Sequence, residues 1–138
     1  MFNNSINIAI KFTYIARRGF NKNEITLRCI ERIKEFFDID KWQINQPIII
    51  AELAQIISNV DGVGAIVPPS ENNLQSHPVL ITNKWQTSGG YSGNVYDINY
   101  ATKNGILYPS LDPSIFELKY PEVDIEGRAF GDSTGVSF

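Results

Sequence analysis

INIAIKFTYIA, residues 6–16, is the stretch on which the fold turns. Ile6, Ile8, Ile10, Phe12 and Tyr14 fall on one side of an extended chain, with Asn7, Ala9, Lys11 and Thr13 on the other. A period of two built from β-branched and aromatic residues predicts a strand with one buried face. That face needs a cover, and the segments that follow supply it. ARRGFNKN (16–23) turns the chain: Gly19 adopts positive φ without steric cost, and Asn21 or Asn23 can cap a helix. EITLRCIERIKEFF (24–37) then repeats apolar residues every three or four positions. Leu27, Ile30, Ile33 and Phe37 make a stripe, and Arg28, Glu31, Arg32 and Glu35 supply the wet side. The result is a rod about 21 Å long whose stability comes mainly from burying its stripe.

QPIIIAELAQIISNV (46–60) gives a short extended piece at Pro47 and the isoleucines, then a second helix from near Ala51. Leu53, Ile56, Ile57 and Val60 share its apolar face, while Glu52, Gln55 and Asn59 stay wet. The DG step at 61–62 stops the helix, and VGAIV (63–67) reads as a closing strand ended by Pro68 and Pro69. Neither helix face is stable alone in water, so both are expected to cover one side of a small sheet. The fold class is α+β, with a compact module over residues 1–68.

Residues 69–138 read differently, as an extended loop, short strands and an irregular β-rich aromatic arm. PPSENNLQSHP (68–78) is a polar turn-rich segment, PVLITNKW (78–85) a strand, and QTSGGYSGN (86–94) a glycine-rich loop. Later apolar pieces are cut by Pro109, Pro113 and Pro121. The NG step at 104–105 predicts a tight turn, with YDINY (96–100) and ILY (106–108) as hairpin arms. The arm is too aromatic for a disordered tail: Trp85, Tyr91, Tyr96, Tyr100, Tyr108, Phe116, Tyr120 and Phe130 are spread along it. Tyrosine and tryptophan join apolar area to a polar handle, which suits interfaces. The candidate protein-interface residues are Arg17, Arg18, Trp85, Tyr91, Tyr96, Tyr108, Phe116, Tyr120 and Phe130. The alternative is an arm that folds back over the open sheet face.

Composition narrows the function further. The 138 residues are 43% hydrophobic and 20% charged, enough apolar content for one folded core. A net charge of -3 makes no global case for nucleic acid or an anionic membrane. Charge is split, however: residues 1–34 carry seven basic and two acidic side chains, and residues 61–138 four basic and nine acidic. Such a split can orient the molecule against a partner or a copy of itself, and it also fits two solvated faces. Cys29 is the single cysteine, so no intramolecular disulfide forms, and its place in a helical stripe predicts burial. The start MFNNSINIAIKF has neither the basic head nor the apolar run of a signal peptide, and no stretch has the length and apolarity of a membrane span. A location outside a cell then requires another route, such as incorporation into a particle.

No chemical motif completes itself. His77, the sole histidine, precedes Pro78 in a polar turn, without a second histidine or thiol for zinc or an evident nucleophile to serve. SGGYSGN (88–94) lacks the lysine and following helix of a phosphate loop. Asp97, Asp112, Asp124 and Glu126 have no spacing that specifies a catalytic pair, and DID at 38–40 lacks the later ligands of a calcium loop. Arg17, Arg18 and Lys22 form a small basic patch, but the next helix alternates acids with bases, so a protein contact fits it better than a nucleic-acid backbone. The expectation is no enzyme, no cofactor and no metal.

Two blocks carry a resemblance. WQINQPIIIAELAQIISNVDGVGAIV (42–67) resembles the C-terminal module of baseplate J-like proteins, in which an extended segment and a helix precede a GV-containing turn and a strand. YDINYATKNGILYPSLDPSIFELKYPEVDIEGRAF (96–130) resembles the C-terminal region of the large baseplate wedge protein of T4-like contractile-tailed phages, including ATKNGILYPSLDPSIFE and the KYP–DI–GR pattern. The resemblance implies a non-enzymatic structural role in the virion's tail baseplate, reached after synthesis in the host cytoplasm. Its implied partners are other wedge proteins and copies of itself, with no nucleic acid and no membrane. The family protein is several times longer, so this chain would be a C-terminal fragment, a split product or a shortened member. An independent carbohydrate- or peptide-binding module is the competing reading; it calls for a pocket that gathers Trp85 and several tyrosines.

Overall fold

The computed structural model describes residues 4–67, 78–110, 112–130 and 136–137. The chain is α+β. It begins with strand β1 (Ser5–Ala16), helix α1 (Lys22–Phe36), strand β2 (Ile48–Ile49), helix α2 (Ile50–Ser58) and strands β3 (Val63–Val67) and β4 (Val79–Asn83). A single 3-10 turn (Thr87–Gly89) and helix α3 (Ile98–Ala101) lead to strands β5 (Thr102–Lys103), β6 (Ile106–Leu107) and β7 (Ile115–Glu117). Helix α4 (Pro121–Asp124) and strands β8 (Ile125–Ala129) and β9 (Val136–Ser137) complete it.

β1 organises the main sheet. Along one edge it pairs antiparallel with β4 over Ile8–Phe12 and then with β3 over Thr13–Ala16. Along the other it pairs parallel with β7 over Ser5–Asn7 and with β8 over Ile10–Tyr14. β9 extends the sheet from β8. The alternation of residues 6–16 is realised as expected: Ile6, Ile8, Ile10, Phe12 and Tyr14 are all buried, whereas Lys11 and Ile15 are exposed. Tyr14, whose phenol would be costly to bury unpaired, donates to the Lys22 carbonyl at 2.8 Å and shares a 2.6 Å hydrogen bond with the Thr26 hydroxyl.

α1 packs on β8 and on α2, and α2 packs on β3, so the helices cover the apolar face of β1. Asn21 is the N-cap of α1, its Oδ1 accepting from the Glu24 amide at 3.1 Å. The buried stripe is Ile25, Thr26, Cys29, Ile30 and Ile33, continued by Phe37. Leu27, expected in the stripe, is 40% exposed. At 3.6 residues per turn it lies about 160° from the centre of the face that Ile25, Cys29 and Ile33 define. Burial pushes the Cys29 thiol up to about 12, so it stays protonated as a small core side chain. In α2, Ile50, Leu53 and Ile57 are buried and Ile56 is half-buried.

A division at residue 68 does not separate two bodies. β4, β7 and β8 all bond to β1, so the second half supplies much of the sheet that the first half begins. β8 fits because its inward residues are small where β1 is large. Gly127 lies opposite Phe12, and a Cβ there would overlap the Phe12 ring. Ala129 lies opposite Tyr14, and both are buried. Phe116 in β7 is 2% exposed and belongs to the core, which corrects its expected place at an interface. It sits opposite Ile6, the inward position on β1, and its ring lies 6.1 Å from that of Tyr96.

Phe116→Ala is therefore expected to cost about 3–5 kcal/mol in denaturant unfolding of the whole chain. Phe130→Ala, at a residue 64% exposed, is expected to stay within about 0.5 kcal/mol. Equal effects would contradict the burial assigned to these two rings.

Candidate protein interface

The glycine–tyrosine loop is pinned to the start of β1 by side-chain amides and hydroxyls. Asn7 is fully buried although it lies on the polar side of its strand. Its Nδ2 donates to Glu117 Oε1 at 2.7 Å, and its Oδ1 accepts from the Ser92 amide at 2.8 Å. Asn83 Nδ2 donates to the carbonyls of Asn7 (3.0 Å) and Asn94 (3.3 Å), and Asn83 Oδ1 accepts from the Tyr96 amide at 2.9 Å. Ser92 Oγ and Asn94 Nδ2 both donate to the Ser5 carbonyl, at 2.7 and 2.8 Å. Gly90 and Gly93 adopt positive φ as the loop reverses on itself. The glycine-rich loop is thus tied at Ser92, Asn94 and Tyr96.

These ties set Tyr91 against α4. Its hydroxyl donates to Asp124, lying 2.9 and 2.8 Å from the two carboxylate oxygens, and Asp124 is almost wholly buried. The Tyr91 ring meets Tyr120 edge-on at 5.3 Å, and Lys84 Nζ lies 5.5 Å from the Tyr91 centroid. The Lys119 ammonium donates to the Gly90 carbonyl. Burial, assisted by the hydrogen bond and the charge of Asp124, pushes the Tyr91 phenol up to about 12. Tyr91 is thus half-buried and committed within its own chain, while Tyr120 remains partly exposed.

A second group of tyrosines faces outward. The NG turn forms as expected, with Asn104 at φ 53 and Gly105 at φ 78. The second arm, β6, lies within ILY as expected, but the first is β5 rather than YDINY, because Asp97 caps α3 by accepting from the Tyr100 amide at 3.0 Å and turns INYA into a helical turn. β2 pairs with β6, placing Ile48 opposite Leu107, so the isoleucine run of the first half anchors the hairpin of the second. Tyr96 donates its hydroxyl to the Tyr108 carbonyl at 2.6 Å, fixing one ring. Val95, Tyr96, Tyr100, Tyr108 and Pro109 then line an open, mainly apolar groove of about 500 Å³. Tyr100 is 74% and Val95 71% exposed. Asp97, Asp112 and Lys103 also border the groove, and Lys103 Nζ lies 4.4 Å from the Tyr100 ring centroid.

The expected interface residues therefore divide. Tyr96 and Tyr108 belong to this groove, and Tyr100 and Val95 join them. Asp97 followed three residues later by Tyr100 was the available sequence signal, a capped turn that leaves the tyrosine projecting. Trp85 is exposed but does not line the groove. Arg17 and Arg18 are exposed at the end of β1, where Arg17 Nε reaches the Val63 carbonyl at 3.4 Å. Phe130 is exposed at the end of β8. His77 lies outside the described residues, as does the polar segment 68–77.

Among the described residues no three His, Cys, Asp or Glu side chains come together as a metal site, and no helix is long and apolar enough to cross a membrane. Asp97, Asp112, Asp124 and Glu126 do not share one groove: Asp97 and Asp112 border the tyrosines, whereas Asp124 is occupied by Tyr91. No protein-family model matches the chain, and no curated protein matches it.

The Tyr91 phenol gives a direct test of the buried pair. Its folded pKa is raised from 10 to about 12, so its contribution to stability is complete below pH 10 and is lost as pH rises from 10 to 12. Chemical denaturation across that range is expected to show a decline in stability that is smaller in Tyr91→Phe. An identical decline in both proteins would place the alkaline sensitivity elsewhere.

Proposed function

We propose that this chain is a non-enzymatic structural component of a contractile-phage tail baseplate wedge, joined to its neighbours through protein–protein contacts. The observation that supports a contact role is the tyrosine groove. Two large phenols, Tyr100 on the capped turn and Tyr108 beside the hairpin, and the neighbouring Val95 are exposed instead of folding inward. Large aromatic side chains on a fixed backbone offer contact area at low entropic cost and are over-represented at interface centres. The assignment to a baseplate rests on the resemblance of residues 42–67 to baseplate J-like proteins and of residues 96–130 to the wedge protein of T4-like phages. The anchoring of the hairpin by Ile48 and Ile49 joins parts of both blocks in one structural unit.

In this role the mechanism is geometric. Binding energy at the groove holds a neighbouring chain in register. Implied neighbours are other wedge proteins and further copies of the chain. Tyr108, Tyr100 and Tyr96 form the contact centre, with Arg17, Arg18, Trp85 and Phe130 as exposed positions elsewhere on the molecule. Phe116 and Tyr91 act from within, by fixing the backbone that carries the others.

Co-expression with wedge proteins, followed by mass measurement of the purified complexes, tests the assignment. The expected result is a stoichiometric complex that Tyr100→Ala with Tyr108→Ala weakens about tenfold or more. The same pair is expected to move the melting temperature by no more than about 4 °C, since both side chains are largely outside the core. A chain that stays monomeric with every wedge protein at assembly concentrations contradicts the proposal.

A further inference from the structure

We infer that the tyrosine groove takes an extended, proline-rich segment of a partner protein that carries an arginine. The inference rests on the contact role assigned above to this surface and names the chemistry of the occupant. Three properties of the groove carry it. The first is its lining: Tyr96, Tyr100, Tyr108 and Pro109 border an open groove rather than an enclosed cavity, which suits a chain lying across it better than a buried small molecule. Proline rings pack on aromatic faces, and a polyproline II segment is already extended before it binds, so little ordering entropy is lost.

The second property is the phenols. Tyr96 spends its hydroxyl on the Tyr108 carbonyl, but the hydroxyls of Tyr100 and Tyr108 have no hydrogen-bond partner among the described residues. Polyproline II has no internal hydrogen bonds, so its carbonyls are available acceptors for such donors. The third property is charge. Asp97 and Asp112 are both exposed at the groove, against one cation, Lys103, which already lies over the Tyr100 ring. One Asp97 oxygen caps α3, which leaves the other oxygen and the Asp112 carboxylate to meet a guanidinium. An acidic occupant would meet two carboxylates and is disfavoured.

The test uses the full chain labelled with nitrogen-15 and a short proline-rich peptide containing one arginine. Titration is expected to shift the amides of residues 95–101 and of Tyr108, Ser110 and Asp112 and leave α1 unchanged. Tyr100→Ala is expected to weaken binding about tenfold. Asp112→Asn, or arginine-to-glutamate exchange in the peptide, is expected to weaken it about two- to fivefold. Replacing the peptide prolines by alanine is expected to cost about tenfold as well. Absence of binding, binding indifferent to Tyr100→Ala, or equal binding of the glutamate peptide overturns the inference. If Tyr100→Ala disrupts the wedge complex while no proline-rich peptide binds, the occupant class is wrong and the contact surface stands. If neither measurement responds to Tyr100→Ala, both readings fall.

Discussion

The structure depends on β1 being paired along both edges by strands from both ends of the chain. β4 and β3 take one edge in succession, and β7 and β8 take the other. Over Ile10–Tyr14 the strand is paired on both edges, and its alternate side chains are fixed to one face by the period of two. A slip of one residue would turn Ile6, Ile8, Ile10, Phe12 and Tyr14 toward solvent and bring Asn7 and Lys11 into the core. The pairing of Gly127 with Phe12 adds a steric lock, since only that register gives the ring its space. Helices α1 and α2 then pack against a face whose geometry is already determined.

The outward tyrosines inherit their positions from this frame. Asn7 and Asn83 fasten the glycine loop to β1, and β2 fastens the hairpin to the first half through Ile48 and Leu107. Each polar tie replaces hydrogen bonds to water and so contributes only about 1 kcal/mol, but leaving any of these buried groups unpaired would cost more. The network therefore specifies one loop conformation more than it adds stability. Tyr100 and Tyr108 can be presented to a partner without ordering cost because Asp97, Asn104 and Gly105 have already set the backbone. That preorganisation is the physical basis for the proposed structural role.

What could be read from the residues follows the range of the signals. β1, the helices near 24–37 and 51–60, the VGAIV strand, the Asn21 cap and the NG turn each rest on local patterns, and each forms. The contribution of β8 was hidden because Ile125, Gly127 and Ala129 present a weak apolar alternation, and their value lies in complementing large rings far away in sequence. Phe116 was misplaced for a related reason: proline on both sides made IFE look like an isolated piece, whereas its parallel pairing with β1 buries it. Parallel partners need long connections, so neither proximity nor a hairpin signal announces them. At the groove, Tyr96 and Tyr108 were legible as aromatic anchors, but the prominence of Tyr100 depended on a four-residue helix that periodicity does not reveal.

Native-state hydrogen exchange of the full chain tests the dependence on β1 most directly. Amides of β1, β3, β4 and β8 that are hydrogen-bonded within the sheet are expected to share one opening free energy, equal to that of global unfolding, because removal of any neighbour exposes the central strand. The contradicting result is protection of residues 5–67 that persists while residues 79–129 exchange freely. In that case the first half would be a separate folded body, and the tyrosine surface would hang from it rather than rest on a shared sheet.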